Sequence, residues 1–328
     1  MTIKMRPSRR HAVLALAGFA GAATRPAWAG FSDQPIKLLV GFPPGGGGDL
    51  YGRLIARALQ KSMDQTVVVD NRPGAGGNIA ADLAAKAPPD GLTLILAMSG
   101  NFAVTPALRP AAVPYKVPED FEPIGLILEA PHGLFVSAKS RFKSVEQVLN
   151  EAKGGKLTFA STGAGGAAHI GMEMVKKAAA VEILHIPYRG SGPAITDLLG
   201  GQVDLFFATA PPVMSQVQQG ALRLLALTGE MRNPAVPDVP TFREAGVDVV
   251  VTQWYGLAAP KNTPPAIAKT LSEHLSKVLA MPDVREAIRK DAAVERNLPG
   301  PAFTRYILED MARYRRGVSP ELVKQVMQ

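Results

Sequence analysis

The sequence predicts an α/β protein with two domains, each a mostly parallel β-sheet flanked by helices. Three observations indicate this fold class. Short apolar runs alternate with amphipathic stretches, a pattern typical of parallel strands joined by crossover helices. The alternation occurs twice along the 328 residues, and the second series begins after Glu129. Glycine-rich segments follow several predicted strands, at the strand ends where open α/β sheets bind ligands.

The elements follow from apolar periodicity in chain order. The first series has predicted strands at 36–42, 67–69 and 92–97 and predicted helices at 50–59 and 79–87. The second series has apolar or strand-like runs at 134–137, 157–160, 183–186, 203–208, 222–228 and 249–258, with helices at 145–152 and up to residue 177. The last part predicts three helices without strands of their own, at 265–279, 284–291 and 302–314.

Two domains account for this order most simply. Residues 30–130 together with 255–328 are expected to form domain 1, and residues 131–254 to form domain 2. The chain then crosses between the domains near Ala130 and near Trp254, which are the predicted hinges. The C-terminal helices are expected to pack on domain 1. The carboxyl ends of the strands would converge on one interdomain cleft.

Residues 1–29 have the features of an export signal. Basic residues including Arg9 and Arg10 precede a short apolar run, and Ala27-Trp28-Ala29 matches the small-x-small cleavage pattern, so the mature chain should begin at Gly30. An apolar run of about twelve residues is too short for a bilayer, which requires about 20. The arginine pair allows either the twin-arginine or the general secretory route. We expect the mature protein in the periplasm.

Charge and cysteine content exclude several classes of function. Five basic residues and no acidic residue lie in the signal, so removing it lowers the formal charge from +8 to +3. The basic character of the whole chain is therefore no evidence for nucleic-acid binding, and we expect no nucleic-acid partner. The chain contains no cysteine, which excludes disulfides, thiol catalysis and a lipidated N-terminal cysteine.

The segment 41–49, Gly-Phe-Pro-Pro-Gly-Gly-Gly-Gly-Asp, lies between the first predicted strand and helix. Glycines let a backbone approach a ligand closely, and the N–H groups at a helix N-terminus favour anions. No Lys-Ser or Lys-Thr follows, so the segment is not a nucleotide P-loop. The alternative is a flexible loop in which Asp49 caps the helix.

Two further glycine-rich segments, 71–77 and 161–169, also follow predicted strands. The first is expected to be a structural turn, in which Arg72 either holds a carboxylate or forms a salt bridge. The second loosely matches a dinucleotide fingerprint. However, the acidic residue required about 20 positions later is replaced by His185-Ile186-Pro187-Tyr188. An anion site at a second helix N-terminus remains the better interpretation.

No catalytic constellation is apparent. The chain lacks the G-x-S-x-G and H-E-x-x-H motifs. The histidines outside the signal show no metal-ligand spacing: His132, His169, His185 and His274. We therefore predict no catalytic residue, no metal and no cofactor.

Taken in order, these motifs resemble one family, the periplasmic receptors of tripartite tricarboxylate transporters, often called Bug receptors. The resemblance extends over nearly the whole mature chain. Its motifs lie at 42–49, 68–77, 120–124, 161–169, 185–190, 201–204, 240–246 and 254–257.

The resemblance implies a Venus-flytrap fold that holds a small carboxylate between two glycine-rich loops, mainly through backbone amides. A monomer that delivers its ligand to a membrane permease, or to a signalling partner, is expected. The implied ligand-binding residues are Phe42, Gly46, Gly47, Gly48, Asp49, Ser99, Asn101, Ser161, Thr162, Gly165, His169 and Asp204. Asp204 has two alternatives, setting the ligand preference or fixing the loop.

Family members commonly carry hydroxyl side chains where this chain has Gly48 and, in the second loop, Gly166, Ala167 and Ala168. On this basis we expect a monocarboxylate with an apolar body to be preferred over citrate. Two other functions remain open: an exported enzyme that uses the same anion-binding cleft, and a purely structural or regulatory binding protein.

Overall fold

A computed structural model describes residues 34–318 and 323–324. The predicted export signal, with its twin arginines and the cleavage site before Gly30, lies outside the described residues.

The described residues confirm the alternation of strands and helices. The ten strands among them are β1 (Ile36–Val40), β2 (Val67–Asn71), β3 (Thr93–Met98), β4 (Phe121–Ser137), β5 (Thr158–Ser161), β6 (Leu184–Pro187), β7 (Leu205–Thr209), β8 (Leu222–Leu227), β9 (Thr252–Pro260) and β10 (Val294–Pro299). The ten α-helices of the same part are α1 (Gly47–Met63), α2 (Asn78–Ala85), α3 (Thr105–Leu108), α4 (Val145–Ala152), α5 (Ala167–Ala179), α6 (Ser191–Leu199), α7 (Pro211–Gln218), α8 (Pro265–Leu279), α9 (Pro282–Lys290) and α10 (Gly300–Gly317).

The strands give the chain a two-domain α/β fold. Their hydrogen-bonded order is β2-β1-β3-β9-β4-β7-β5-β6, with β8 and β10 also pairing with β4. Among the ten strands, parallel pairing is confined to two groups of three, β2-β1-β3 and β6-β5-β7, because β4 and β9 pair antiparallel with their neighbours. Each sheet is therefore mixed.

Strand β4 belongs to both sheets. Its residues up to Pro131 pair with β9, whereas its residues from His132 onward pair with β7 and β8. The two predicted hinges, Ala130 and Trp254, lie side by side here, because Ala130 pairs with Gln253 and Glu129 with Trp254. The domain boundaries drawn at these positions remain a prediction.

The C-terminal region differs from the sequence analysis, which predicted helices without a strand. Strand β10 pairs antiparallel with β4, joining Val294 to Glu129. The residues of β10 are mostly exposed or half-buried and include charged side chains, so the strand lacks the apolar alternation by which strands are recognised.

Helix α10 packs on the crossing strands. Phe303 and Ile307 of this helix are fully buried in one hydrophobic cluster with Phe102 and Trp254. Gly256 of β9 makes room for this contact, because a methyl group added there would lie 2.2 Å from Cζ of Phe303.

Helix α4 shows how local sequence sets an element boundary. The Ser144 hydroxyl accepts the N–H of Gln147, and the side-chain oxygen of Gln147 accepts the N–H of Lys143. These reciprocal bonds satisfy free donors at the helix start, as in a capping box. The helix covers the predicted residues 145–152.

Candidate functional site

The first glycine-rich loop connects β1 to α1. Gly45 has a left-handed backbone with φ of +85°, and Gly46 is extended with φ of −84° at the N-cap position. The N–H of Gly45 donates to Oδ2 of Asp49 at 3.1 Å. Asp49 is thus not the N-cap; it lies in the first turn of α1 and reaches back to order the loop.

The second loop, between β5 and α5, has the same construction. Gly165 has φ of +69°, and Gly166 is extended with φ of −77° at the N-cap. The N–H of Gly165 donates to Nδ1 of His169 at 3.0 Å. In both loops, a left-handed glycine is therefore bound by the side chain four residues later.

Asp49 is held as a carboxylate by its own surroundings. Its Oδ1 lies 2.9 Å from Nη2 of Arg53. Burial raises the pKa of Asp49, but hydrogen bonds from Arg53 and Gly45 outweigh it, so the pKa lies below its ordinary value. Both carboxylate oxygens are engaged within the loop and α1.

His169 is held neutral. Because Nδ1 accepts the Gly165 N–H, the ring proton is on Nε2, which lies 3.8 Å from Oε1 of Glu173. Burial, followed by the nearby His185 and Lys176, lowers the pKa of His169 to about 3. The two imidazoles stack with their centroids 3.6 Å apart.

Ser161 ends β5 beneath this stack. Its Oγ lies 2.7 Å from Nε2 of His185 and 3.2 Å from the carbonyl oxygen of Gly163. Burial lowers the pKa of His185 to about 4. The Ser161 hydroxyl thus orders the start of the second loop, on which Thr162 and Gly165 are half-buried.

The segment 71–77 supports the first loop from behind, as expected for a structural turn. The amide of Asn71 donates to the carbonyl of Phe42 at 2.9 Å. A methyl group at Gly77 would lie 3.2 Å from the Phe42 ring. Arg72 pairs with the nearby Asp70 at 2.9 Å, so its guanidinium forms a local salt bridge.

Ser99 and Asn101 follow β3 and are fully buried. Asn101 donates to the carbonyl of Gly77 at 3.2 Å and accepts the N–H of Met98 at 3.0 Å. Oγ of Ser99 has no hydrogen-bond partner among the described residues. A buried hydroxyl of this kind carries a cost of about 1–3 kcal/mol until a partner reaches it.

Asp204 is not brought together with these residues. Its carboxylate accepts the N–H and the hydroxyl of Thr158 at 2.8 and 2.9 Å. Thr158 begins β5 and Ser161 ends it, so Asp204 lies at the opposite edge of the sheet, about 10 Å away along the strand. This geometry favours fixing the start of β5.

Contacts absent from the sequence analysis connect the first loop to the second sheet. A methyl group at Gly47 would lie 2.5 Å from Oη of Tyr255 and 3.6 Å from Oγ1 of Thr209, and one at Gly190 would lie 3.3 Å from Cγ of Pro43. Thr209 ends β7 and Gly190 precedes α6. Gly190 and Tyr255 lie in segments that carry the family resemblance and Thr209 does not, but no spacing among the three indicated that they lie against the first loop.

The arrangement offers backbone donors to an anion. The first N–H groups of α1 and α5 lack acceptors within their helices and carry the positive end of the helix dipole. Among the described residues, no helix is long and apolar enough to cross a membrane. Within the same residues, no group of three or more His, Cys, Asp or Glu could hold a metal ion.

Comparisons with known proteins show what the whole chain is similar to. The family model described as "Tripartite tricarboxylate transporter family receptor" matches residues 52–319. Protein BugT of Bordetella pertussis is 37% identical over 295 residues, covering 89% of this chain and 90% of BugT.

Solved structures match along the same length. A Rhodopseudomonas palustris protein with adipate has a TM-score of 0.83 at 31% identity, covering 86% of this chain and 95% of that one. MatC from the same organism, with bound malate, has a TM-score of 0.81 at 29% identity, covering 88% and 99%.

Proposed function

Because the chain belongs to the tripartite tricarboxylate transporter receptor family, we propose that it captures a small carboxylate in the periplasm for a membrane permease. The observation that carries this proposal is the shared construction of the two glycine-rich loops. Each loop turns through a left-handed glycine and presents the N-terminus of a helix. Neutral backbone donors bind an anion without burying an opposite charge, whose desolvation can exceed its gain.

The site residues divide into two roles. Gly46, Gly47 and Gly48, with Ser161, Thr162 and Gly165, are proposed to line the anion site. The donors proposed for the anion are the backbone N–H groups of Gly47 and Gly48 and the hydroxyl of Thr162. The N–H groups of Gly46 and Gly165 and the Ser161 hydroxyl are already bonded within their loops. Phe42 forms a wall, and the unpartnered Ser99 hydroxyl and Asn101 are proposed to meet the far part of the ligand. Asp49 and His169 are proposed to hold the shape of the loops, because Oδ2 of Asp49 and Nδ1 of His169 accept the N–H groups of Gly45 and Gly165.

The proposed ligand class rests on the ligands of similar proteins rather than on the side-chain hydroxyls that this chain lacks in its glycine-rich loops. A methyl group at Gly48 would lie 3.2 Å from Sδ of Met98 and 3.3 Å from Cγ1 of Val40, inside the core. Ala167 and Ala168 are also buried in the hydrophobic clusters. Hydroxyls at Gly48, Ala167 and Ala168 would point into the core, so of the four positions only Gly166, the half-buried N-cap of α5, bears on the preference against citrate. The malate and adipate of the similar structures make a dicarboxylate the proposed class.

The enzyme alternative would use the Ser161–His185 pair. Oγ of Ser161 is 2.7 Å from the imidazole, as in an activated nucleophile. Ser161, however, is fully buried, and the lowered pKa of His185, about 4, makes it a weak base at neutral pH. The pair is better explained as a support for the second loop. We propose that the protein is a monomeric receptor without catalytic activity.

A thermal-shift panel of malate, adipate, citrate and acetate tests this function, with the neutral diamide adipamide as the matched control for adipate. Ligand at 100 times its dissociation constant should stabilise the fold by about 2.7 kcal/mol. We expect at least one dicarboxylate to raise the melting temperature and adipamide to leave it unchanged. Equal shifts with adipate and adipamide would show that the negative charges of the ligand are not what the site recognises.

A further inference from the structure

Two hydroxyl groups lie directly beneath the first loop. Tyr255 lies on β9 and Thr209 ends β7, and their hydroxyl groups come close enough to interact. Both side chains approach Gly47, the first residue of α1. The pair therefore joins the two sheets at the base of the proposed cleft.

The position of the pair relative to the crossing strands gives it mechanical significance. Along β4, Tyr255 pairs with Leu128 and Thr209 pairs with His132. Ala130, a predicted hinge, lies midway between these two partners. The backbones of Tyr255 and Thr209 thus lie on opposite sides of the pivot, each about 7 Å from it along the strand, and their side chains converge beside Gly47. Rotation of one domain about this pivot changes the distance between the two oxygens.

The surroundings of Tyr255 make the loss of this bond costly. Tyr255 is 1% exposed, and its ring packs edge-on against Tyr51 with the centroids 4.9 Å apart. The ring therefore has little freedom to turn its hydroxyl toward water. A buried hydroxyl without a partner is unfavourable, so the Thr209 contact favours the arrangement in which both oxygens meet.

We propose that Thr209 and Tyr255 form a clasp that stabilises the closed arrangement of the two domains. Thr209 is then a positioning residue for ligand capture. The inference rests on the proposed receptor function, because closure matters only if the cleft captures a ligand. The Pro43–Gly190 contact, where the first loop meets the start of α6, provides an independent reporter of closure.

The absence of cysteine from all 328 residues allows this reporter to be used directly. A variant that carries both Pro43→Cys and Gly190→Cys forms a disulfide only when the first loop meets the start of α6. The effective concentration of the two thiols is measured in glutathione redox buffer without added carboxylate. It therefore reports the fraction of molecules in the closed arrangement. Thr209→Val and Tyr255→Phe are introduced singly and together into this cysteine background. The left-handed backbone of Gly190 affects all variants equally.

Each single substitution is expected to lower the effective concentration about fivefold, the effect of one hydrogen bond. The double variant should lose no more than either single variant, because the two hydroxyls form one bond. Thr158→Val is the matched control: its hydroxyl bonds to Asp204 at the other edge of the sheet, and it should change nothing. Additive losses, or no loss with Thr209→Val, overturn the clasp.

Small-angle scattering of Thr209→Val in the cysteine-free chain is a second measurement, needed if the cysteine variant does not fold. The radius of gyration should exceed that of the wild type, and an unchanged radius contradicts the clasp. Neither measurement uses a carboxylate. A failed clasp therefore leaves the thermal-shift test intact, and a failed ligand panel leaves the clasp measurable.

Discussion

Gly165 and His169 are related as Gly45 and Asp49 are. In each pair, the N–H of a left-handed glycine donates to the side chain four residues later, at 3.0 and 3.1 Å respectively. One acceptor is a neutral imidazole and the other a carboxylate. The two loops thus reach the same backbone shape with different side chains, which indicates that the shape itself is required at both helix N-termini.

The neutral state of the stacked histidines predicts a pH dependence of stability. The pKa values of His169 and His185 fall from 6.5 to about 3 and about 4 in the fold, mainly through burial. The unfolded chain therefore binds protons that the folded chain does not. The contribution of the two neutral histidines to folding stability is fully present above about pH 6.5 and is lost as the pH falls toward 3. Urea unfolding at a series of pH values measures this loss.

His169→Asn is the control for that series. By analogy with Asp49, asparagine retains an acceptor for the Gly165 N–H and removes the titrating ring. The free energy of unfolding of this variant should fall less steeply below pH 6.5. A slope as steep as that of the wild type would show that His169 does not cause the dependence.

The packing of α10 on β9 predicts the cost of a single methyl group. Gly256→Ala places a carbon atom 2.2 Å from Cζ of Phe303, and overpacking of a core costs about 1–3 kcal/mol. Gly192→Ala is the control, because no atom lies within 4 Å of the added methyl in α6. It should be neutral or slightly stabilising. Denaturant unfolding distinguishes the two, and Phe303→Leu should partly rescue Gly256→Ala.

We expect export to depend on residues 1–29, which carry the predicted signal. The mature N-terminus in a periplasmic fraction is expected at Gly30 or within two residues of it, as determined by mass spectrometry. Replacing Arg9 and Arg10 by lysine should block export by the twin-arginine route. Retention of Met1 on the periplasmic protein would contradict a cleaved signal.

The sequence predicted helix bounds correctly where a residue that favours a helix start marks the first turn. The bounds of α4 and α8 match the prediction, because Ser144 caps the first and Pro265 begins the second. Strand β4 was recognised only in its last part. Its 17 residues include prolines and glycines and shift register against β9, so no simple alternation marks its length.

The loops of the site were predictable because glycines mark them in the sequence. The proximity of Thr209 and Tyr255 was not predictable, because these residues lie on strands of different sheets that are brought together only by their pairing with β4. Asp204 shows the converse: the sequence predicted it within a strand at 203–208, but it lies just before β7, and its pairing with Thr158 puts it at the far edge.

Gly46 tests the central claim most directly, namely that the first loop binds the anion through its backbone. Gly46 has φ of −84°, and a methyl group there meets only the carbonyl oxygen of Pro43, at 3.6 Å. Gly46→Ala should therefore fold and bind nearly as the wild type does. Gly46→Glu adds a negative charge, and two charges about 4 Å apart repel by about 4 kcal/mol at an effective dielectric of 20.

The decisive measurement is calorimetric titration of both Gly46 variants with the carboxylate that gives the largest thermal shift. We predict that Gly46→Glu weakens binding by about a thousandfold, while circular dichroism shows that both variants are folded. Unchanged binding by the folded Glu variant would show that the anion binds elsewhere. Equal losses of affinity in both variants would show that the loop needs glycine only for its backbone conformation.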